Sequence, residues 1–395
     1  SPSITNDTTP DITGTAEAGS TVKLYSGETS PASWTQLGSD IEGETARVQL
    51  GSTVSLSGIG GKVAIGSRDN KARIYQYTND SWTQLGSDIA GPADDDNSLV
   101  EVTLSHDGTT VALGIPKTGT GMAQISSGGL ARIYQYTNDS WTQLGSDIAG
   151  EASGYGAGIA LSLSEDGSRI AIGTPFGNKG DKSGHARIYQ YTNDSWTQLG
   201  SDIDGEADDD YSGTSVSLSA DGNTIAIGAY ANDGNGNDSG HTRIYQYSSI
   251  DEEWTQLGSD LDGKSANDDS GYSVSLSDDG SIVAISSSVV DGSENSYVSI
   301  YQYSSEDDDW TQLGSDINAD APAVAQMFPT TVSLSEDGSI VAIGRPETNT
   351  ETDIYTGHVS IYQYSSENDD WTQLGSDIAG EAISLSGASL SLSDD

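Results

Sequence analysis

One phrase, WTQLGSD, occurs seven times and holds every tryptophan of the chain: Trp34, Trp82, Trp141, Trp196, Trp254, Trp310 and Trp371. Successive copies stand 48 to 61 residues apart. A unit of that length, made of several short alternating segments, suits a β-propeller blade; helical repeats would show a 3.6-residue period instead. The repeat overrides the prior from length, by which 395 residues would make two or three average domains.

Each unit contains four β-like runs separated by turn signals. In the unit around residue 220 these are SVSLS (215–219), TIAIG (224–228), TRIYQY (242–247) and WTQLGSD (254–260). We label them strands A to D. The A–B connection is Asp221-Gly222, a strong short-hairpin signal that predicts a type I′ turn. Strand D occurs seven times, and so does strand A, which begins at Thr53, Val102, Leu161, Ser215, Ser273, Thr331 and Ser389. Strand B as VAIG and strand C as IYQY each occur only six times. TVKLY (21–25) supplies the missing C, and either Ser3–Asn6 or Asp11–Thr15 supplies the missing B. The expected fold class is therefore all-β: a seven-bladed propeller of four antiparallel strands per blade. Residues 1–395 form one domain, in which 1–33 and 388–395 together complete the closing blade. Such an interlock removes free sheet edges and ties down both ends.

Composition narrows the partners. With 60 acidic against 15 basic residues the net charge is −45, so a phosphate backbone or an anionic membrane surface is repelled. No apolar run approaches the length that spans a bilayer, and no signal-peptide pattern opens the chain. The absence of cysteine excludes disulfides and thiolate metal sites. The first residue is Ser1, which points to a segment excised from a longer chain; within it a monomeric domain is expected.

The unit G-x-S-V-S-L-S, D-G-S-x-V-A-I-G-x-P, G-x-x-R-I-Y-Q-Y resembles an FG-GAP repeat, the blade of integrin α-subunit propellers. Gly51, Gly158, Gly213, Gly271 and Gly387 stand for the first glycine of that motif. Gly114-Ile115-Pro116, Gly173-Thr174-Pro175, Gly228-Ala229-Tyr230 and Gly344-Arg345-Pro346 stand for its second half. The resemblance implies calcium loops between strands A and B, but here those hairpins are two- or three-residue turns such as Ala220-Asp221-Gly222, too short to wrap an ion. A second resemblance covers SITNDTTPDITGTAEAGSTVKLYSG (3–27), which is similar to the opening of immunoglobulin-like repeats in giant bacterial adhesins. It implies an extracellular, cell-surface location.

The tryptophans and IYQY tyrosines recur at one strand position in every unit, as blade-packing residues do. Ligand residues are sought where the units differ. A–B and C–D turns lie on one side of a propeller and are monotonous here, whereas the B–C and D–A loops on the other side vary, and binding groups favour variable loops on a rigid scaffold. That side carries the aromatics Tyr155, Phe176, Tyr211, Tyr230, Tyr272, Phe328 and Tyr355, a rim suited to a glycan or protein on another surface. It also carries Asp94, Asp95 and Asp96; Asp208, Asp209 and Asp210; Asp233, Asn235, Asn237 and Asp238; and Asp268 with Asp269. Alternate oxygen donors suit Ca²⁺, and they equally suit solvated acidic loops. His185, His241 and His358 head strand C in different blades, too far apart to share a metal, and read as structural.

No Ser/His/Asp order, H-E-x-x-H or phosphate loop appears, and a sialidase-type S-x-D-x-G-x-T-W box is absent. The expectation from sequence is a protein that binds rather than catalyses: an adhesion module, with calcium as its candidate cofactor. The alternatives are a structural spacer of a surface fibre and, third, a glycoside hydrolase.

Overall fold

The protein is represented by a computed structural model describing residues 12–14, 21–27, 34–43, 50–91, 99–116, 128–150, 156–177, 182–288, 296–318, 329–349, 354–380 and 386–393. Its regular structure is β-strand throughout, arranged as seven antiparallel sheets. Blade 4 shows the pattern. Strand A (Ser215–Leu218) pairs with B (Thr224–Ala229), B with C (His241–Ser248), and C with D (Glu253–Gln256). Strand D does not stop there. After the bulge at Leu257-Gly258-Ser259-Asp260 the chain returns to C as Leu261–Asp262. The repeated phrase thus encodes a strand with a built-in break, opened by Gly258 at φ 71°.

The seventh blade joins both ends of the chain. Ile12–Gly14 lies between Leu390–Leu392 and Thr21–Ser26, and Thr35–Gln36 completes the sheet. The second sequence alternative, within Asp11–Thr15, therefore supplies strand B; Ser3–Asn6 lies outside the described residues. The turns differ from expectation in one respect. In Ala220-Asp221-Gly222 only the glycine has positive φ (64°), Gly222 N donates to Ser219 O, and Asp221 Oδ1 accepts from Ser219 Oγ and Asn223 N. That is a type I turn closed by a left-handed glycine. The type I′ geometry occurs instead in the C–D turns of blades 1 to 3, as where Asn193 and Asp194 sit at φ 51° and 61°.

Strand B is buried along its whole length in blade 4, as befits the middle of a layered ring. Each apolar cluster lies between two consecutive blades. Ala171, Ala186, Ile188 and Ile203 of blade 3, for example, face Val216, Leu218, Ile225, Ile227 and Trp254 of blade 4. Across the closure, Val22, Leu24 and Ile41 meet Val54, Leu56, Val63 and Ile65. Trp254, only 9 % exposed, lies 5.3 Å from Tyr247 on its own blade and donates its indole N–H to Leu199 O of the preceding blade, 2.8 Å away. The same bond joins Trp82 to Leu37, Trp141 to Leu85, Trp196 to Leu144, Trp310 to Leu257 and Trp371 to Leu313. The glycine after each of those leucines leaves room for the indole; a Cβ on Gly200 would press on Trp254.

Two further sets of contacts circle the channel. The serine in the middle of strand A accepts a backbone N–H from the next blade: Ser162 Oγ from Leu218 at 2.9 Å, Ser217 from Leu276 at 2.9 Å, Ser275 from Leu334 at 3.0 Å. At the A–B turns, Glu165 N donates to Ala220 O, Ala220 N to Asp278 O and Asp278 N to Glu336 O, each at 2.9 Å. This gathers acidic side chains at one mouth. Burial, then Glu336 and Glu165, push the Asp278 carboxyl up to about 6.

Trp254→Ala is expected to cost about 3–5 kcal/mol, as large-to-small core changes do, read by denaturant unfolding. The Asp278 group binds its proton more tightly when folded, so the stability it contributes is full below about pH 4 and lost as pH rises through about 6. Asp278→Asn should therefore raise the melting temperature at pH 8 and leave it nearly unchanged at pH 4; equal shifts at both pH values would refute this.

Candidate functional site

The variable face is a set of paired loops rather than free-standing ones. Among the described residues, the D–A loops that follow blades 3 and 4 hydrogen-bond along the neighbouring B–C loops. Tyr211 N donates to Lys182 O at 3.0 Å and Ser212 N to Ser183 O at 2.9 Å; one blade on, Asp269 N donates to Asp238 O at 3.1 Å and Ser270 N to Ser239 O at 3.0 Å. Lys182, Tyr211, Asp238 and Asp269 all adopt left-handed φ between 47° and 57°. Tyr211 and Asp269 therefore occupy equivalent positions, held by the same main-chain frame.

The acidic residues divide into two groups on this frame. Asp210 (3 % exposed) points inward and accepts from Ala207 N at 2.9 Å and Asn232 Nδ2 at 3.0 Å. Its counterpart Asp268 (2 % exposed) accepts from Ser265 N at 2.8 Å and the Tyr297 hydroxyl at 2.6 Å. These two carboxylates hold loops in shape. Asn235 likewise donates to the carbonyls of Gly263 and Lys264, Asp233 Oδ1 accepts from Asp238 N, and Asn237 donates to Asp238. Asp208 is exposed, and Asp209 pairs with Lys182 at 3.2 Å. Asp94, Asp96, Tyr155 and Phe328 lie outside the described residues. Tyr355 belongs to the long strand Ile354–Ser365, opposite Thr348.

Three of the tyrosines singled out by sequence come together. Tyr211 and Tyr230 stack at 5.3 Å with an interplanar angle of 19°, and Tyr272 follows Tyr230 at 5.3 Å and 46°. Phe176 meets Tyr211 edge-on at 5.7 Å, so four rings run from the loops of blade 3 to those of blade 5. Tyr211 and Tyr230 cover each other's faces and present edges and hydroxyls; Tyr272, at 36 %, is the most exposed of the row. Burial first, then the neighbouring tyrosines, push Tyr230 up to about 12, so its phenol remains a hydrogen-bond donor at neutral pH. The Lys182 ammonium donates to the Tyr211 hydroxyl at 3.0 Å.

Sequence reasoning passed over the opposite mouth of the channel. A cavity of about 160 Å³ opens there, among whose lining residues are His106, Glu165, Asp278 and Glu336. The four occupy the same place in the A–B turns of blades 2, 3, 5 and 6, where blade 4 has Ala220, and only the variation of that single position from turn to turn carried a signal. His241, read from sequence as structural, lies with Glu206 and Asp260 in a second cluster, their donor atoms all within 4.8 Å.

Residues 201–245 match the FG-GAP repeat. No curated protein matches the sequence. Among solved structures, a putative 6-phosphogluconolactonase from Bacteroides uniformis is similar at TM-score 0.64 and 12% identity, covering 98% of this chain and 100% of its own. One from Bacteroides fragilis is similar at 0.63 and 12%, covering 100% of both chains. The periplasmic gluconolactonase of Pseudomonas aeruginosa is similar at 0.60 and 10%, covering 96% of this chain and 99% of its own. These likenesses show a shared fold, and they correct the expectation that a propeller of this kind binds without catalysing. That expectation rested on missing motifs, yet whole-length neighbours of the same architecture carry the names of lactone hydrolases. The chain is a seven-bladed β-propeller with an FG-GAP repeat at residues 201–245.

Proposed function

We propose that the protein recognises a carbohydrate on its variable-loop face, as an extracellular adhesion module of a bacterial surface protein. The observation that carries this reading is the aromatic row Phe176–Tyr211–Tyr230–Tyr272, set on loops that main-chain bonds make rigid. A sugar ring packs its C–H face on an aromatic ring and hydrogen-bonds its hydroxyls at the edge. Tyr272 offers the first contact, and the Tyr211 hydroxyl, Lys182 and Asp209 offer the second. Pre-formed loops lower the ordering cost of binding. Calcium held by exposed rim carboxylates such as Asp208 and Asp233 would stiffen the loops further. The similarity of residues 3–27 to adhesin repeats supports the surface location.

A glycan array probed with calcium and then with a chelator tests this reading. Binding to a defined glycan class is expected, and Tyr272→Ala should weaken it about tenfold, the equivalent of roughly 1.4 kcal/mol for one aromatic contact. No binding to any glycan, or binding indifferent to both Tyr230→Ala and Tyr272→Ala, would leave the spacer role in its place.

A second reading rests on the channel mouth: hydrolysis of a sugar lactone. An Asp278 carboxyl poised at about 6, beside Glu336, Glu165 and His106, has the proton affinity of a general base that activates water near neutral pH. The similar solved structures are named for such lactones. The acidic lining repels a phosphate, which favours unphosphorylated gluconolactone over its 6-phospho form. Lactone opening followed by pH-stat should exceed the buffer rate, fall as pH drops below about 6, and vanish in Asp278→Asn. A rate equal to buffer alone disposes of it.

A further inference from the structure

Strand C of blades 1 to 4 carries an arginine three positions into the strand: Arg73, Arg132, Arg187 and Arg243. In the first three blades it pairs with the aspartate of the same blade's D bulge. Arg73 reaches Asp88 at 3.1 Å, Arg132 holds Asp147 through two bonds of 2.6 and 2.7 Å, and Arg187 holds Asp202 at 2.5 and 2.8 Å. Blade 4 breaks the pattern. Arg243 crosses to the preceding blade, where it pairs with Glu206 at 3.3 Å and donates to Asp204 O at 2.9 Å. Asp260 is left with a bond from the Gln256 amide on Oδ1 at 2.6 Å, and its Oδ2 faces His241.

His241 is 1 % exposed, and its Nδ1 is buried with no hydrogen-bond partner. A buried, unpartnered ring nitrogen is costly and calls for a reason. That nitrogen points between two carboxylates, 3.9 Å from Asp260 Oδ2 and 3.9 Å from Asp262 Oδ1, too far to hydrogen-bond either. Donors around an ion bound at about 2.1 Å stand roughly 3–3.5 Å apart, so small side-chain shifts close the gap. Glu206, Asp260 and Asp262 against Arg243 leave two negative charges, which one divalent cation neutralises. Asp260 and Asp262 are 32% and 41% exposed, so ions and completing waters have a way in.

We propose that His241, Asp260 and Glu206, whose donor atoms lie within 4.8 Å of one another, bind a divalent transition-metal ion of the Zn²⁺ class, with Asp262 beside them. An imidazole nitrogen among oxygen donors selects such an ion over Ca²⁺, which takes oxygen alone. The arrangement is particular to blade 4. His185 of blade 3 faces Asp204, but there Asp202 is held by Arg187; His358 of blade 6 pairs with Ala379, and Asp377 accepts from Ser360. The site shares no residue with the proposed glycan and lactone sites and does not depend on either.

The test is calorimetric titration of the metal-stripped whole chain with Zn²⁺ in excess Ca²⁺, which saturates the acidic surface. One tight equivalent is expected, weakened about tenfold or more, the order of one lost ligand or its support, by His241→Asn and by Asp260→Asn. Asp251→Asn, in the exposed C–D turn of the same blade, should change nothing. Asp260→Asn guards against misfolding, because its side chain is partly exposed. Zn²⁺ that binds no better than Ca²⁺, or binds equally to Asp260→Asn and Asp251→Asn, would overturn the proposal.

Discussion

The inner strand of every blade presents an unpaired edge to the channel, and the structure depends on how those backbone N–H groups are satisfied. Strand A pairs on one side only, with strand B. Its other edge would leave donors stranded beside a narrow passage, a cost comparable to lost hydrogen bonds. At six of the seven interfaces the preceding blade answers with a serine, and blade 2 has Thr103 at that place. Ser55 serves Leu104, Ser162 serves Leu218, Ser217 serves Leu276, Ser275 serves Leu334, Ser333 serves Leu392 and Ser391 serves Leu56. The S-L-S run thus has a division of labour: leucine enters the interblade core while serine stitches the next sheet edge. No sheet-to-sheet ladder is needed, and the ring can close without the blades merging.

At the periphery the tryptophan does the corresponding task with more area. Its ring packs in the cluster between two blades, and its N–H fixes the register to a leucine carbonyl next door. Six of the seven indoles make that bond. Trp34 sits against Ile361 and Leu374 at the closure with its Nε1 unpartnered, so the joint made from the two chain ends rests more on apolar contact. Inner serines and outer tryptophans bracket each interface, and the loops above inherit a fixed frame.

Much of this was legible in the sequence, for a physical reason. Seven copies of one solution average away local ambiguity, so the strand order, the blade number and the shared last blade all follow from counting. Turn types did not follow so simply. Asp-Gly predicts type I′, yet the serine two residues before the aspartate donates its hydroxyl to that side chain, and the turn settles with one left-handed residue. The candidate site was readable in part. Position along the chain put Tyr211, Tyr230 and Tyr272 on one face, but that they touch is a matter of loop conformation. Asp210 and Asp268 look like their exposed neighbours in sequence, and only the fold shows them turned inward as braces. The blade 4 cluster was hidden because it arises from a change of partner, with Arg243 leaving Asp260, and no residue type records such a change.

The pairing of Ile12 with Leu392 has a consequence for how this molecule comes into being. A chain emerging from the ribosome can seat its blades one upon another as they appear, yet the final seam waits for a partner some 380 residues downstream. Until then Val359 and Ile361, at the far end of the growing arc, lack the cover that Leu392 and Trp34 bring. An arc not yet closed would keep that apolar end open, and repulsion between chains of net charge −45 opposes the joining of two such arcs in place of one closing on itself.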